Sequence, residues 1–273
     1  MSISLQHVPA SEGVRWLRNA FRLFLRRPLP FTGMFAAFLV SVLLVTLVPV
    51  IGSVLMLMSL PLLTLGFMIA TRSAQDDGPV HPGQFIEPLR QGGPRRTALL
   101  TLCALYALAT VLIMQLAEWV DGGGFEQLQL LMAKGDEARA EMEVLLADPR
   151  LAWGMFTRFG LAGALSIPFW HAPALVYWQG QGVGQSLFSS TLALWRCKGA
   201  FFAYSLAWTA VIVAFGMAAA LLFTLLNVRE LAGLIAMPAG LMFSTIFYVS
   251  LLFTYNGCFS FGPGASGVPR AAT

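Results

Sequence analysis

Ile167-Pro168-Phe169-Trp170-His171-Ala172-Pro173-Ala174-Leu175-Val176-Tyr177-Trp178 is an apolar run twice interrupted by proline. A polar elbow follows, Gln179-Gly180-Gln181-Gly182-Val183, and then an amphipathic segment over 184–195 closed by Arg196-Cys197-Lys198. Hydrophobic sequence resumes at Gly199. A helix that leaves a bilayer, lies along its surface and turns back in has this pattern. Its apolar part matches hydrocarbon, its glycines permit the turn, and its two-faced part suits the interface.

Working outward, the rest of the chain agrees. Of its 273 residues 57% are hydrophobic and 11% charged, and the mean hydropathy is +0.72. A soluble domain carries about 25% charged residues. The apolar sequence falls into blocks of about 20 residues, the length that crosses roughly 30 Å of hydrocarbon as helix. Spans are expected at 31–48, 50–71, 97–117, 159–178, 199–226 and 231–255. The fold class is therefore all-α: a polytopic membrane protein with six transmembrane helices, arranged as three hairpins each preceded by a short cytoplasmic interfacial helix. As a single integral membrane domain, the chain divides into an interfacial helix (1–28), a first hairpin (29–72) and a cytoplasmic loop with a short helix (73–96). A third span (97–118), a periplasmic segment (119–150) and a fourth span (151–178) come next. A second cytoplasmic interfacial helix (179–198), the last hairpin (199–256) and a tail (257–273) complete it.

Charge sets an expected orientation. With both termini inside, twelve basic residues are cytoplasmic: Arg15, Arg18, Arg22, Arg26, Arg27, Arg72, Arg90, Arg95, Arg96, Arg196, Lys198 and Arg270. Five lie opposite: Lys134, Arg139, Arg150, Arg158 and Arg229. The asymmetry follows the positive-inside rule and implies a bacterial inner membrane. The first apolar block ends without a small-x-small site, so no cleavable signal is expected.

Residues 11–27 read as an interfacial helix with Ser11 at its N-cap. Arg15, Arg18, Arg22 and Arg26 form one stripe, and Val14, Leu17, Phe21 and Phe24 form an apolar one expected to lie in the headgroup layer. Two readings stay open, a juxtamembrane helix that merely obeys topology or one that binds lipid or a partner. The expected partners are membrane lipids, chiefly anionic, or a membrane protein, with no role for nucleic acid. Arg15, Arg18, Arg22, Arg26, Arg27, Arg95, Arg96, Arg196 and Lys198 are the cations placed to face them.

The pattern recurs. Gly83-Gln84-Phe85-Ile86 precedes Leu89-Arg90 and Arg95-Arg96, and Gly184-Gln185-Ser186-Leu187-Phe188 precedes Arg196 and Lys198, each before a span. The returning spans each contain a proline: Pro61, Pro168 and Pro238. These features suggest three units of surface helix plus hairpin. In the outer segment Gly122-Gly123-Gly124 breaks the third span. Phe125, Leu128, Leu131 and Met132 suggest an apolar face resting on the membrane or on neighbouring helices, the segment being a structural lid over the bundle or a partner-binding site. Asp148-Pro149 opens the next helix.

Candidate chemistry is sparse. Ser186, Ser189, Ser190, Ala193 and Cys197 form a small-residue stripe that favours close packing over ligand binding. His171 is an ionisable group at membrane depth and joins Ser186, Ser189 and Ser190 as a candidate interior polar site. Without a second histidine or carboxylate nearby, it makes neither a metal site nor a proton relay. A neutral ring bonding a proline-freed carbonyl is the structural alternative. Glu118, with Gln115 one turn earlier, and Arg158 sit near the outer edge, where an ion pair or snorkelling suffices. No catalytic motif, phosphate-binding glycine loop or cofactor motif occurs. Cys103, Cys197 and Cys258 form no close-spaced pair.

Phe169-Trp170-His171-Ala172-Pro173-Ala174-Leu175-Val176, followed by Ser186, Ser190 and the re-entry over 196–201, resembles an uncharacterised family of bacterial six-helix inner-membrane proteins. The opening Gly13-Val14-Arg15-Trp16-Leu17, with Phe24 and Arg27-Pro28, resembles its start. More distantly, the chain is similar to the membrane domain of glycerophosphodiester phosphodiesterases. The chain departs from the family at Tyr255-Asn256-Gly257-Cys258, where a tyrosine-rich Arg-Asp run is usual. The resemblance implies a membrane fold and no activity. The expected function is a non-enzymatic integral inner-membrane protein whose surface helices engage anionic lipid or a membrane partner. The alternative is a small transporter or permeation pathway for a lipidic or weakly polar substrate, lined by the proline-broken helices.

Overall fold

The computed structural model describes residues 3–6, 8–49, 51–90, 92–225 and 232–261. Six spans are long and apolar enough to cross a membrane. They are α2 (Pro28–Thr46), α3 (Ile51–Gln75), α5 (Pro94–Asp121), the broken helix α8 (Pro149–Phe169) plus α9 (Ala172–Gln179), α11 (Lys198–Leu225) and α12 (Ala232–Cys258). Shorter helices join them: α1 (Ser11–Arg26), the single turn α4 (Glu87–Arg90), α6 (Gly124–Lys134), α7 (Arg139–Leu146) and α10 (Val183–Arg196). The protein is an all-α, polytopic membrane protein.

Proline and capping chemistry set several boundaries. α2, α5 and α8 each open with proline in the first turn, where its missing N–H is no loss. Asp148 caps α8, its carboxylate accepting from the Arg150 amide at 2.8 Å. Elsewhere the chain departs from its sequence pattern. Ser11 lies inside the first turn of α1, and Ala10 occupies the cap position without a side-chain bond. The second surface unit is only a 3-10 turn, Pro82–Phe85, followed by α4. Pro79, Pro82, Pro88 and Gly92-Gly93 leave no uninterrupted run for a longer helix. The predicted turn over 227–230, with Arg229, and the tail cation Arg270 lie outside the described residues.

The segment before α1 meets the segment after α12, which local sequence does not announce. β1 (Ile3–Leu5) pairs antiparallel with β2 (Phe259–Phe261), directly after α12, and the Gln6 amide donates to the Cys258 carbonyl at 3.1 Å.

The most consequential departure concerns α1. Its apolar face lies on protein, across the ends of α11 and α12. Trp16, Leu17, Ala20, Leu23 and Phe24 are buried, whereas Val14 is 41% exposed. Trp16 packs edge-on to Phe201 at 5.4 Å between centroids and rests on Gly257, where a Cβ would come within 2.6 Å of the indole nitrogen. At Gly13 the backbones approach so closely that a Cβ would collide with the Ala200 carbonyl and lie 2.7 Å from the Tyr204 nitrogen.

Most buried side chains lie in the half of the bundle beneath α1 and α10, including Phe31, Phe67, Leu99, Leu175, Val249 and Tyr255. We term this the basic end. Toward the far end Leu43, Leu47, Leu221 and Leu225 are exposed, a composition suited to hydrocarbon. There Arg158 meets Asp121 at 3.2 Å, with side chains 9% and 0% exposed. Arg158 also sits 4.1 Å above the Phe125 ring. Leu128 and Leu131 of α6 are buried, but Met132 is 64% exposed and does not share their face.

Gly13→Ala is expected to lower the melting temperature of detergent-purified protein by about 2–8 °C, because overpacking costs roughly 1–3 kcal/mol. Gly33→Ala, where an added Cβ meets nothing within 4 Å, should not lower it. Equal melting of wild type and Gly13→Ala would contradict close docking of α1.

Candidate functional site

The sequence around His171 folds into a helix break with a specific repair. α8 continues through Pro168 to Phe169, Trp170 and His171 form a turn, and α9 restarts at Ala172 with Pro173 in its first turn. In an unbroken helix the His171 amide would bond the Ile167 carbonyl. Here the Ser190 hydroxyl of α10 lies 3.1 Å from each, accepting from the amide and donating to the carbonyl. The hydroxyl is thus inserted into the helix ladder, a recognised cause of a kink. It satisfies two groups that would each cost several kcal/mol if unpaired in hydrocarbon.

The His171 ring is fully buried. Its Nε2 is 3.1 Å from the Thr254 hydroxyl, which also accepts from Trp170 Nε1 at 3.2 Å. Thr254 gives its own hydrogen to the Leu251 carbonyl at 2.8 Å, so Nε2 must carry the proton and donate. Among the described residues the buried Nδ1 has no hydrogen-bond partner. An Nδ1–H would find no acceptor among them, which fits the neutral Nε2–H tautomer. Rings of Tyr255, Phe259 and Phe201 surround it with centroids 5.5 to 6.2 Å away.

Ser186, Ser190, Ala193 and Cys197 are fully buried, so the small-residue face of α10 lies against the bundle. Ser189 is half-buried. Ser186 turns its hydroxyl back onto Val183 at 2.8 Å. Of the candidate interior residues, only Ser190 and His171 are joined by a hydrogen bond. The elbow is closed by Gly180, whose φ of 65° is one that side-chain-bearing residues rarely adopt. The Arg95 guanidinium lies against it, 3.2 Å from where a Cβ would stand.

The basic residues divide by environment. Arg15 pairs with Glu12 on its own helix. Arg27 is held by Asp77 at 3.0 Å and by the Gly78 carbonyl at 2.7 Å. Arg18, Arg22 and Arg26 are exposed on the outward face of α1, with no ion pair among the described residues. Arg96, Arg196 and Lys198 are likewise exposed, and Lys198 sits 5.2 Å from the centre of the Trp195 ring.

Several partners escape sequence reasoning. Thr254 lies 83 positions from His171. Asp121, not Glu118, partners Arg158. Cys197 and Cys258, remote in sequence, meet at the junction of α10, α11 and α12, and a hydrogen bond from the Cys258 thiol holds Cys197 below the ordinary thiol range. Deeper in the bundle a cavity of about 170 Å³ is bordered by Pro61, Thr64, Tyr106, Ser166, Trp170 and Tyr248. Among the described residues no cluster of three His, Cys, Asp or Glu could hold a metal.

Ser190→Ala leaves the His171 amide and the Ile167 carbonyl unpaired, a penalty of about 1–3 kcal/mol. It should melt several degrees below wild type, whereas Ser189→Ala should melt with it. Indistinguishable melting of both variants would remove Ser190 from this role.

No family model matches the chain, and no solved structure matches it. The chain is 34% identical over 274 residues to a probable inner membrane protein of Burkholderia thailandensis, an alignment covering 99% of each protein. With six membrane-crossing helices and likeness along its whole length, the chain belongs to the family of that protein and is a multi-pass inner membrane protein.

Proposed function

We propose that the protein acts without catalytic chemistry, as an integral membrane scaffold whose surface helices engage anionic lipid or a membrane partner from the cytoplasmic side, both termini being cytoplasmic. The observation supporting this is the two-sidedness of α1. Its apolar face is fixed on α11 and α12, and Arg18, Arg22 and Arg26 point away from the bundle, exposed. A cation near an anionic leaflet gains about 1 kcal/mol before screening. A helix already locked in place loses little further freedom when it binds. His171, Ser186, Ser189 and Ser190 serve in this reading to seat α10.

Replacing Arg15, Arg18, Arg22 and Arg26 together with glutamine should reduce retention of anionic phospholipid by purified protein, measured by lipid extraction at fixed salt. Retention equal to wild type would contradict the lipid reading.

The cavity near Trp170 supports a second reading, a permeation pathway for a lipidic or weakly polar substrate. α3, α5, α8 and α12 all border it, and its wall is largely aromatic and aliphatic. Thr64→Cys and Ser166→Cys should then react with a water-soluble maleimide in sealed vesicles. Protection of both from the reagent would exclude an aqueous route to the cavity.

A further inference from the structure

Between α1, the end of α3 and α12 lies a depression of about 360 Å³. Arg22, Arg26 and Arg27 line it from α1 and its junction with α2, together with the amides of Asn19 and Gln75. Among the described residues Asp77 is the one acidic residue on its wall. Three guanidiniums against one carboxylate leave two positive charges. Asp77 is committed to Arg27, which also holds the Gly78 carbonyl. Those two hydrogen bonds fix the Arg27 fork and the loop after α3, where Asp77 takes a φ of 57°. Arg22 and Arg26, one helical turn apart, have no ion-pair partner among the described residues and share the mouth with Arg27. Planar guanidiniums suit the oxygens of a phosphate group. The remaining wall is apolar, formed by Leu23, Ala74 and Phe253, and Phe253 belongs to a membrane-crossing span.

We infer that this depression is a binding site for the phosphate of an anionic membrane phospholipid, whose net charge matches the excess of guanidiniums, with Arg22 and Arg26 as its free ligands and the glycerol and upper acyl chain lying on Leu23, Ala74 and Phe253. The inference rests on the proposed engagement of anionic lipid and sharpens it. Arg15 and Arg18, which do not line the depression, contribute only to diffuse attraction. The apolar wall selects a lipid phosphate over free phosphate, which has nothing to place there.

The test is titration of the full chain in neutral detergent, read by native mass spectrometry. Probes are a short-chain phosphatidylglycerol, phosphatidylcholine and inorganic phosphate. Wild type should take up one phosphatidylglycerol at low concentration, ahead of further adducts, and neither phosphatidylcholine nor inorganic phosphate comparably. Arg22→Gln/Arg26→Gln should weaken that first adduct about thirtyfold, at roughly 1 kcal/mol per cation. Arg15→Gln/Arg18→Gln removes the same formal charge and should leave it within about twofold. Melting curves of both variants check folding, which the exposure of Arg22 and Arg26 favours. Equal weakening by the two double variants would overturn the site while leaving diffuse lipid engagement intact. Tight uptake of inorganic phosphate would overturn its lipid identity. Absence of any preferred anionic adduct in wild type would overturn both the site and the reading beneath it.

Discussion

A backbone amide and carbonyl in hydrocarbon must find partners, and at Ile167 and His171 the helix cannot supply them. Ser190 does so from another helix. That constraint fixes where α10 lies, because its hydroxyl must reach within the broken ladder. The rest of the small-residue face then follows, with Ser186, Ala193 and Cys197 closed against the bundle. The same break turns His171 toward Thr254 and so ties α12 to the fourth span. Removing water from such a site makes each bond worth more and each vacancy more costly.

α1 obeys a related economy. Small residues at Gly13, Ala20 and Gly257 let it approach α11 and α12 at the range where dispersion contacts accumulate. With that face used for docking, its arginines have only the outward side. Charge on the free face and close packing on the other are therefore one design. The short β ribbon reinforces it, since the β1–β2 pairing and the Gln6–Cys258 bond hold the segment before α1 to the end of α12.

Six spans were legible because a bilayer demands blocks of a set length. The break at Trp170–His171 was signalled by Pro168 and Pro173, and the buried stripe of α10 by its helical spacing. What covers a face was not legible. The apolar stripe of α1 has the same periodicity whether it rests on lipid or on protein, and only packing decides. Arg158 had acidic neighbours one turn apart, Glu118 and Asp121. Asp121 is the one buried against Gly154, a contact between helices with no local trace. Thr254, the Cys197–Cys258 contact and the β ribbon were hidden for the same reason. The arginine-lined depression needed the ends of three helices brought together, although every cation in it was visible in the sequence.

The central claim is that α1 and α10 are built into the bundle and do not merely float on the membrane. Amide hydrogen exchange of the protein in neutral, lipid-free detergent tests it most directly. Docking by protein contacts predicts that peptides covering 13–24 and 186–197 are protected for as long as those from α9 and the inner half of α12. Rapid exchange in both surface helices, with protection appearing only when anionic lipid is added, would contradict it.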